Sequence, residues 1–142
     1  MESITFSWVG TDHAFFEILT KVIFYTGFSK GVVNRRWSAF RIAFCGFDIA
    51  RVAFFDELQI ESLLRKDSGI VRNARKVQAT VTNARICIEL IGQYGSLQNF
   101  MAELSRSSPL SMQIVFRKTF SLVGESAALA LWRELQEERG TI

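Results

Sequence analysis

The segment DHAFFEILTKVIFYTG, residues 12 to 27, constrains the fold most. Read as a helix, it sets Phe15, Phe16, Ile18, Leu19, Val22, Ile23 and Phe24 on nearly every side, and a helix that is apolar all round has to be enclosed by others. By propensity alone, Val22 to Tyr25 would also suit a strand. Gly27 ends the segment. The chain has 142 residues, 49% of them hydrophobic, enough for one enclosed core. A single all-α domain over residues 1–142 is therefore expected.

The remaining periodicity is also helical. Ser29 can cap a helix in which Val33, Trp37, Phe40 and Phe44 step by four, three and four, a buried stripe opposite Asn34, Arg35 and Arg41. "CGF" (45 to 47) stops it. Asp48 and Asp56 have the position of N-caps for two short helices, IARVAFF and ELQIESLLRK. From residue 71, Ala74, Val77, Val81, Ala84, Ile88 and Ile91 step by three and four and face a core. After the turn signals YGS and SSPLS, two or three more helices are expected, the last in SAALALWRELQEER.

Charge and cysteine content limit the function class. The net charge is +3, and the acidic share of the last helix leaves the rest of the surface more basic than that total, which suits anionic partners. Cys45 and Cys87 lie far apart without a C-x-x-C, as reduced core residues of an intracellular protein would. No basic stretch leads into an apolar run at the N-terminus, and no charge-free apolar segment reaches about 18 residues. A cytoplasmic protein with no membrane contact is expected.

The stretch LLRKDSGIVRNARKVQATVTNAR, residues 63 to 85, sets Gly69 between two helical patterns. A helix ending near Lys66 and another starting near Arg72 would form a helix-hairpin-helix over about 57–85. The bend from Ser68 and Gly69 through Ile70 and Val71 to Arg72 would then present bare amides and a helix dipole, which favour an anion such as a phosphate. Arg72 and Lys76 lie one turn apart with Arg75 beside them, so cations would surround it. The same spacing also fits a plain helix turn with a solvated basic face.

GFSKGVVNRRWSAFRIAFCGFD (27 to 48) followed by this hairpin resembles the middle of the 3-methyladenine-DNA glycosylase I family, the Tag type, within the helix-hairpin-helix glycosylases. FSLVGESAALALW (120 to 132) is similar to that family's C-terminal helix. The resemblance runs from about Phe16 to Arg85 and resumes near Phe116. It implies an all-α two-lobed fold that grips duplex DNA, turns a damaged base out of the stack and cuts its bond to the sugar. Base extrusion leaves a gap to be filled, and the residue matching the family's wedge is Phe28, which would otherwise be core. Gly69 to Val71 with Arg72 and Lys76 would hold the strand without reading its sequence. An alkylated adenine is already cationic and leaves readily, so a shaped pocket does much of the work and a strong general base is less necessary.

The departures from the family are as informative. Val22 stands where the family has the pocket Glu, Lys30 where it has a stacking Trp, and Phe24 and Tyr25 where it has glutamines. Tyr25 either stacks on a flipped base or packs. The family's zinc ligands have no counterpart, because His13 is the only histidine and no cysteine lies near either end. No metal and no cofactor are expected, the catalytic residue is not identifiable, and the N-terminal segment is shortened relative to the family.

Three other charged residues have two readings each. Lys21, in an apolar helix, is either a lysine made nucleophilic by burial or one reaching water along a wet edge, with Glu17 one turn away as a structural partner. Glu125 suits a helix N-terminus, and Asp67 the hairpin turn. The implied function is a monomeric base-excision glycosylase acting on alkylated purines such as 3-methyladenine in duplex DNA. The alternative is a non-catalytic helix-hairpin-helix DNA-binding protein derived from that family.

Overall fold

The computed structural model describes residues 10–140, with side chains through residue 136. It is all-α: among the described residues there are nine α-helices and no strand. Thr11 caps α1 (Asp12–Tyr25) by accepting from the amide of Ala14 at 3.1 Å. The helix is enclosed by α2 (Lys30–Arg35), α4 (Ile49–Ala53), α6 (Ala74–Tyr94), α7 (Leu97–Leu104) and α9 (Glu125–Gly140). Val22 to Tyr25 are thus helical, because enclosure on all sides overrides their strand propensity. Among the described residues, no helix is long and apolar enough to cross a membrane.

Local signals fix most boundaries. Ser29, Asp48 and Asp56 cap α2, α4 and α5 (Glu57–Leu63) through their side chains, and Asp56 forms a reciprocal capping box with Gln59. Val33, Trp37, Phe40 and Phe44 are buried as a stripe, but their helix breaks at Arg36 into α2 and α3 (Trp37–Ala43). Cys45, Gly46 and Phe47 then follow with φ of 54°, 68° and 59°, a left-handed turn that throws Phe47 back onto Trp37. Those two rings stack at 5.4 Å, and Trp37 also stacks on Phe40 at 4.8 Å. Each such burial contributes about 1.5–3 kcal/mol, enough to offset the strained turn.

Charged groups anchor this aromatic core. Glu17 accepts from Trp37 Nε1 at 2.7 Å and from Arg41 Nε at 2.8 Å, so its partner is Arg41 and not Lys21. The Lys21 ammonium instead lies over the Trp37 ring, 5.0 Å from its centroid. His13 Nδ1 accepts from the amide of Ile49. On α6, Val77, Val81 and Ala84 are buried as expected, whereas Ala74 and Ile88 face outward. Asn83, fully buried, exchanges two hydrogen bonds with the backbone of Ser121, which ties α6 to the loop between α8 (Pro109–Thr119) and α9.

Candidate nucleic-acid interface

The hairpin is α5, a 3-10 turn at Lys66–Ser68, Gly69 in the left-handed region (φ 79°), and α6. Its second helix starts later than residue 72. Asn73 is the N-cap, accepting from the Lys76 amide at 3.1 Å, so Arg72 lies ahead of the helix in the extended connection. The sequence carried that signal, since Asn is a strong cap residue. The amide of Ser68 donates to Arg65 O, and its hydroxyl is buried without a partner, so Ser68 offers neither to a ligand. The amides of Gly69, Ile70, Val71 and Arg72 donate no hydrogen bond to another described residue.

Lys76 is placed differently from the expectation. It is 9% exposed, and its ammonium donates to Phe24 O at 3.2 Å and Thr26 O at 2.5 Å. Those are carbonyls at the C-terminal end of α1, where a cation is favoured. Burial lowers the Lys76 pKa from its ordinary value. Lys76 therefore fastens the hairpin to α1 and does not face solvent beside Arg72. Arg75 is exposed but turned away, lining a separate hollow with Ile60 and Leu122.

The expected base-pocket residues divide in two. Val22 and Phe24 are fully enclosed, with Phe24 edge-on to Phe40 at 4.7 Å, so both are core and neither forms an open wall. Tyr25 is half-buried, donates from its hydroxyl to Asn34 Oδ1, and has the Lys30 ammonium 5.3 Å from its ring centroid. Burial first, and then the charge of Glu134, raise the Tyr25 pKa, against a smaller lowering by the Asn34 hydrogen bond.

Phe28 is 47% exposed, unlike most of the aromatic residues around it. Gly27, with φ 70°, turns the chain out of α1, and the Phe28 amide donates back to Tyr25 O at 3.0 Å. Phe28 and Arg72 line one open groove of about 390 Å³ together with Val32, Arg36, Ile70 and Val71. Arg36 was not anticipated: it sits at the break between α2 and α3, and its Nη1 donates to Gly69 O at 3.4 Å. Among the described residues the ion pairs are Arg41 with Glu17 and Arg106 with Glu103, so neither Arg36 nor Arg72 has a carboxylate partner. An exposed aromatic ring, two guanidinium groups without a carboxylate partner among the described residues, and the backbone of Ile70 to Arg72 thus border one groove. Such a groove suits a phosphodiester beside a base stack. No cluster of three or more His, Cys, Asp or Glu able to hold a metal occurs among the described residues.

The sequence profile of the family described as methyladenine glycosylase matches residues 7–138. A crystal structure of 3-methyladenine DNA glycosylase I (TAG) is 21% identical, with 88% of this chain and 80% of that chain covered at a TM-score of 0.69. The enzyme of the same name from Staphylococcus aureus, solved to explain its recognition of 3-methyladenine, is 18% identical, with 89% and 79% covered at 0.73. A variant of 3-methyladenine DNA glycosylase I in complex with 3-methyladenine gives 18%, 89%, 80% and 0.73. At these identities the solved structures establish the fold, while the profile match over nearly the whole length establishes the lineage. The chain belongs to the methyladenine glycosylase family.

Proposed function

We propose that this protein is a base-excision glycosylase that removes alkylated purines such as 3-methyladenine from duplex DNA. The observation that carries the reading is the groove in which Phe28 projects beside Arg36 and Arg72. In this reading the amides of Gly69 to Arg72, which donate to no other described residue, and the two guanidinium groups hold one strand through its phosphates, which gives affinity without sequence readout. Phe28 enters the stack and occupies the space that the extruded nucleotide leaves, a displacement costing a few kcal/mol and least for a damaged base. Water then replaces the base at the sugar carbon, leaving a hydroxyl there and releasing a proton to solvent, and the base departs with the bonding electron pair, which neutralises its positive charge. Because that charge is present before the bond breaks, the reaction needs less help from a general base than most hydrolyses.

A second reading is favoured by one specific observation: Val22 and Phe24 are sealed in the core, so the wall that would carry the family's pocket carboxylate is closed. On that reading the protein binds DNA and does no chemistry. Incubation with alkylated duplex DNA, followed by chromatography of released bases, separates the two. Release of free 3-methyladenine that is lost in Phe28→Ala supports the glycosylase. Salt-dependent duplex binding without release supports the binding protein, and neither release nor binding removes both readings.

A further inference from the structure

Phe28 leaves α1 on a turn that side-chain packing holds only in part. Its ring is 47% exposed, and a Cβ added at Gly27 would meet nothing within 4 Å. What orders the turn is therefore the end of α1. The last four carbonyls of a helix have no partner inside it, and here each finds a donor. The Thr26 hydroxyl donates to Val22 O at 3.0 Å, the Thr26 amide to Ile23 O at 3.3 Å, and the Phe28 amide to Tyr25 O at 3.0 Å. Phe24 O is left, and it accepts from the Lys76 ammonium, as does the next carbonyl, Thr26 O. Among the described residues those two carbonyls have no other donor. The last turn of α1 has no basic residue of its own, so α6 supplies the cation that a helix C-terminus favours.

We infer that Lys76 is a positioning residue for base extrusion: by bridging Phe24 O and Thr26 O it fixes the exit of α1, and through that exit the angle at which Phe28 meets the base stack. Lys76 itself is enclosed and touches no DNA, so it acts only through Phe28. The inference rests on the glycosylase reading above, in which Phe28 fills the vacated space. It adds that the wedge is set from α6 before DNA arrives, so that binding energy is not spent on ordering it.

The test uses the full chain as wild type, Lys76→Met, Phe28→Ala and the two substitutions together, with Asn83→Ala as control. Asn83 is buried on the same face of α6, but its partner is Ser121, so its loss weakens the fold without touching the exit of α1. In the free protein, hydrogen exchange at the Thr26 and Phe28 amides should quicken at least about fivefold in Lys76→Met and stay near the wild-type rate in Asn83→Ala. Lys76→Gln keeps a neutral donor and should show the same change in milder form, which holds the test open if Lys76→Met fails to fold. The DNA probe is a duplex carrying 3-deaza-3-methyladenine beside a fluorescent base analogue. That lesion lacks the ring nitrogen that would bear the charge, so it stays on the strand while extrusion is read. At saturating protein the extrusion signal should fall at least about fivefold in Lys76→Met. In the Phe28→Ala background the same substitution should have almost no further effect, because the wedge it would place is gone. Exchange that is unchanged in Lys76→Met, or that quickens as much in Asn83→Ala, overturns the assignment, as does a Lys76→Met loss that adds in full to that of Phe28→Ala. A wild type that binds the duplex without any extrusion signal removes the glycosylase reading and the role in extrusion with it. The exchange measurement, made without DNA, distinguishes that outcome from a Lys76 that does not hold the turn.

Discussion

The Lys76 ammonium and the Thr26 carbonyl oxygen are 2.5 Å apart, and this contact ties the first turn of α6 to the residue that ends α1. Thr26 precedes the turn carrying Phe28, so one buried cation sets the hairpin relative to the wedge. Lys76→Met keeps the aliphatic bulk and leaves the carbonyls of Phe24 and Thr26 without their donor. The expected loss is about 1–3 kcal/mol in denaturant unfolding. Its effect on DNA binding should be a uniform weakening with an unchanged salt slope. A flattened slope would mean that Lys76 does reach a phosphate.

Arg72 and Arg36 should behave in the opposite way. Both are exposed at the groove and have no carboxylate partner among the described residues. Each phosphate neutralised contributes about −0.9 to the slope of log K against log salt, so Arg72→Ala and Arg36→Ala should each flatten it by about 1. Stability should change little for Arg72→Ala. For Arg36→Ala it should fall slightly, because the bond to Gly69 O goes with the charge. Slopes equal to that of the wild type would detach the groove from the DNA.

What the sequence disclosed followed from how local each determinant is. The caps at Ser29, Asp48 and Asp56 and the exit at Gly27 are decided by a side chain and the backbone within a few residues, so they could be read directly. The enclosure of α1 followed from its composition. The fate of Lys76 could not be read in the same way, because its carbonyl partners lie at the end of α1, far away in the chain. Spacing alone kept Lys76 in register with Arg72, whereas the Asn73 cap takes Arg72 out of the helix altogether. Arg36 was missed because the break there interrupts an otherwise regular stripe, and periodicity does not see a change of axis. Tyr25 and Lys30 were named as pocket positions through the family resemblance, while Glu134 acts on Tyr25, and Arg133 and Glu134 lie beside Lys30, only through tertiary packing.

Gly69 is fixed by two constraints at once. Its φ is 79°, and a Cβ added there would stand 3.1 Å from the Cβ of Ala39. Gly69→Ala should therefore cost about 1–2 kcal/mol from the backbone alone, with the contact adding to it. Urea unfolding should show a lowered midpoint, and duplex affinity should fall as the bend shifts away from Arg36. An unchanged midpoint would mean that the bend relaxes freely and is not a preset anion seat.

The two cysteines should differ sharply in chemistry. Cys87 is fully buried, and burial, followed by the nearby charge of Asp12, pushes its thiol up to about 12, whereas Cys45 is half-buried. In the native protein at mildly alkaline pH, a thiol reagent should modify Cys45 and spare Cys87 until the chain is unfolded. The sign for stability follows from linkage. Unfolded Cys87 loses its proton from its ordinary value of 9.0, while the folded thiol keeps it until about 12. Its contribution is thus complete below that lower value and declines as pH rises between the two. Against Cys87→Ala as reference, the stability difference should shrink over that interval. A difference independent of pH would place the thiol in contact with water.

Phe28 separates grip from extrusion. Being 47% exposed, it contributes little to the core, so Phe28→Ala should leave the unfolding midpoint nearly unchanged. Duplex binding is assigned to Arg36, Arg72 and the bend amides, and should weaken by no more than about threefold. Extrusion depends on filling the vacated space, so the signal of a fluorescent base analogue placed at the lesion should fall by about tenfold or more. Phe28→Leu should retain part of it, since an apolar wedge of smaller area still excludes water from the stack. Equal losses of affinity and extrusion signal would make Phe28 a packing residue, and the groove would then hold a strand without opening it.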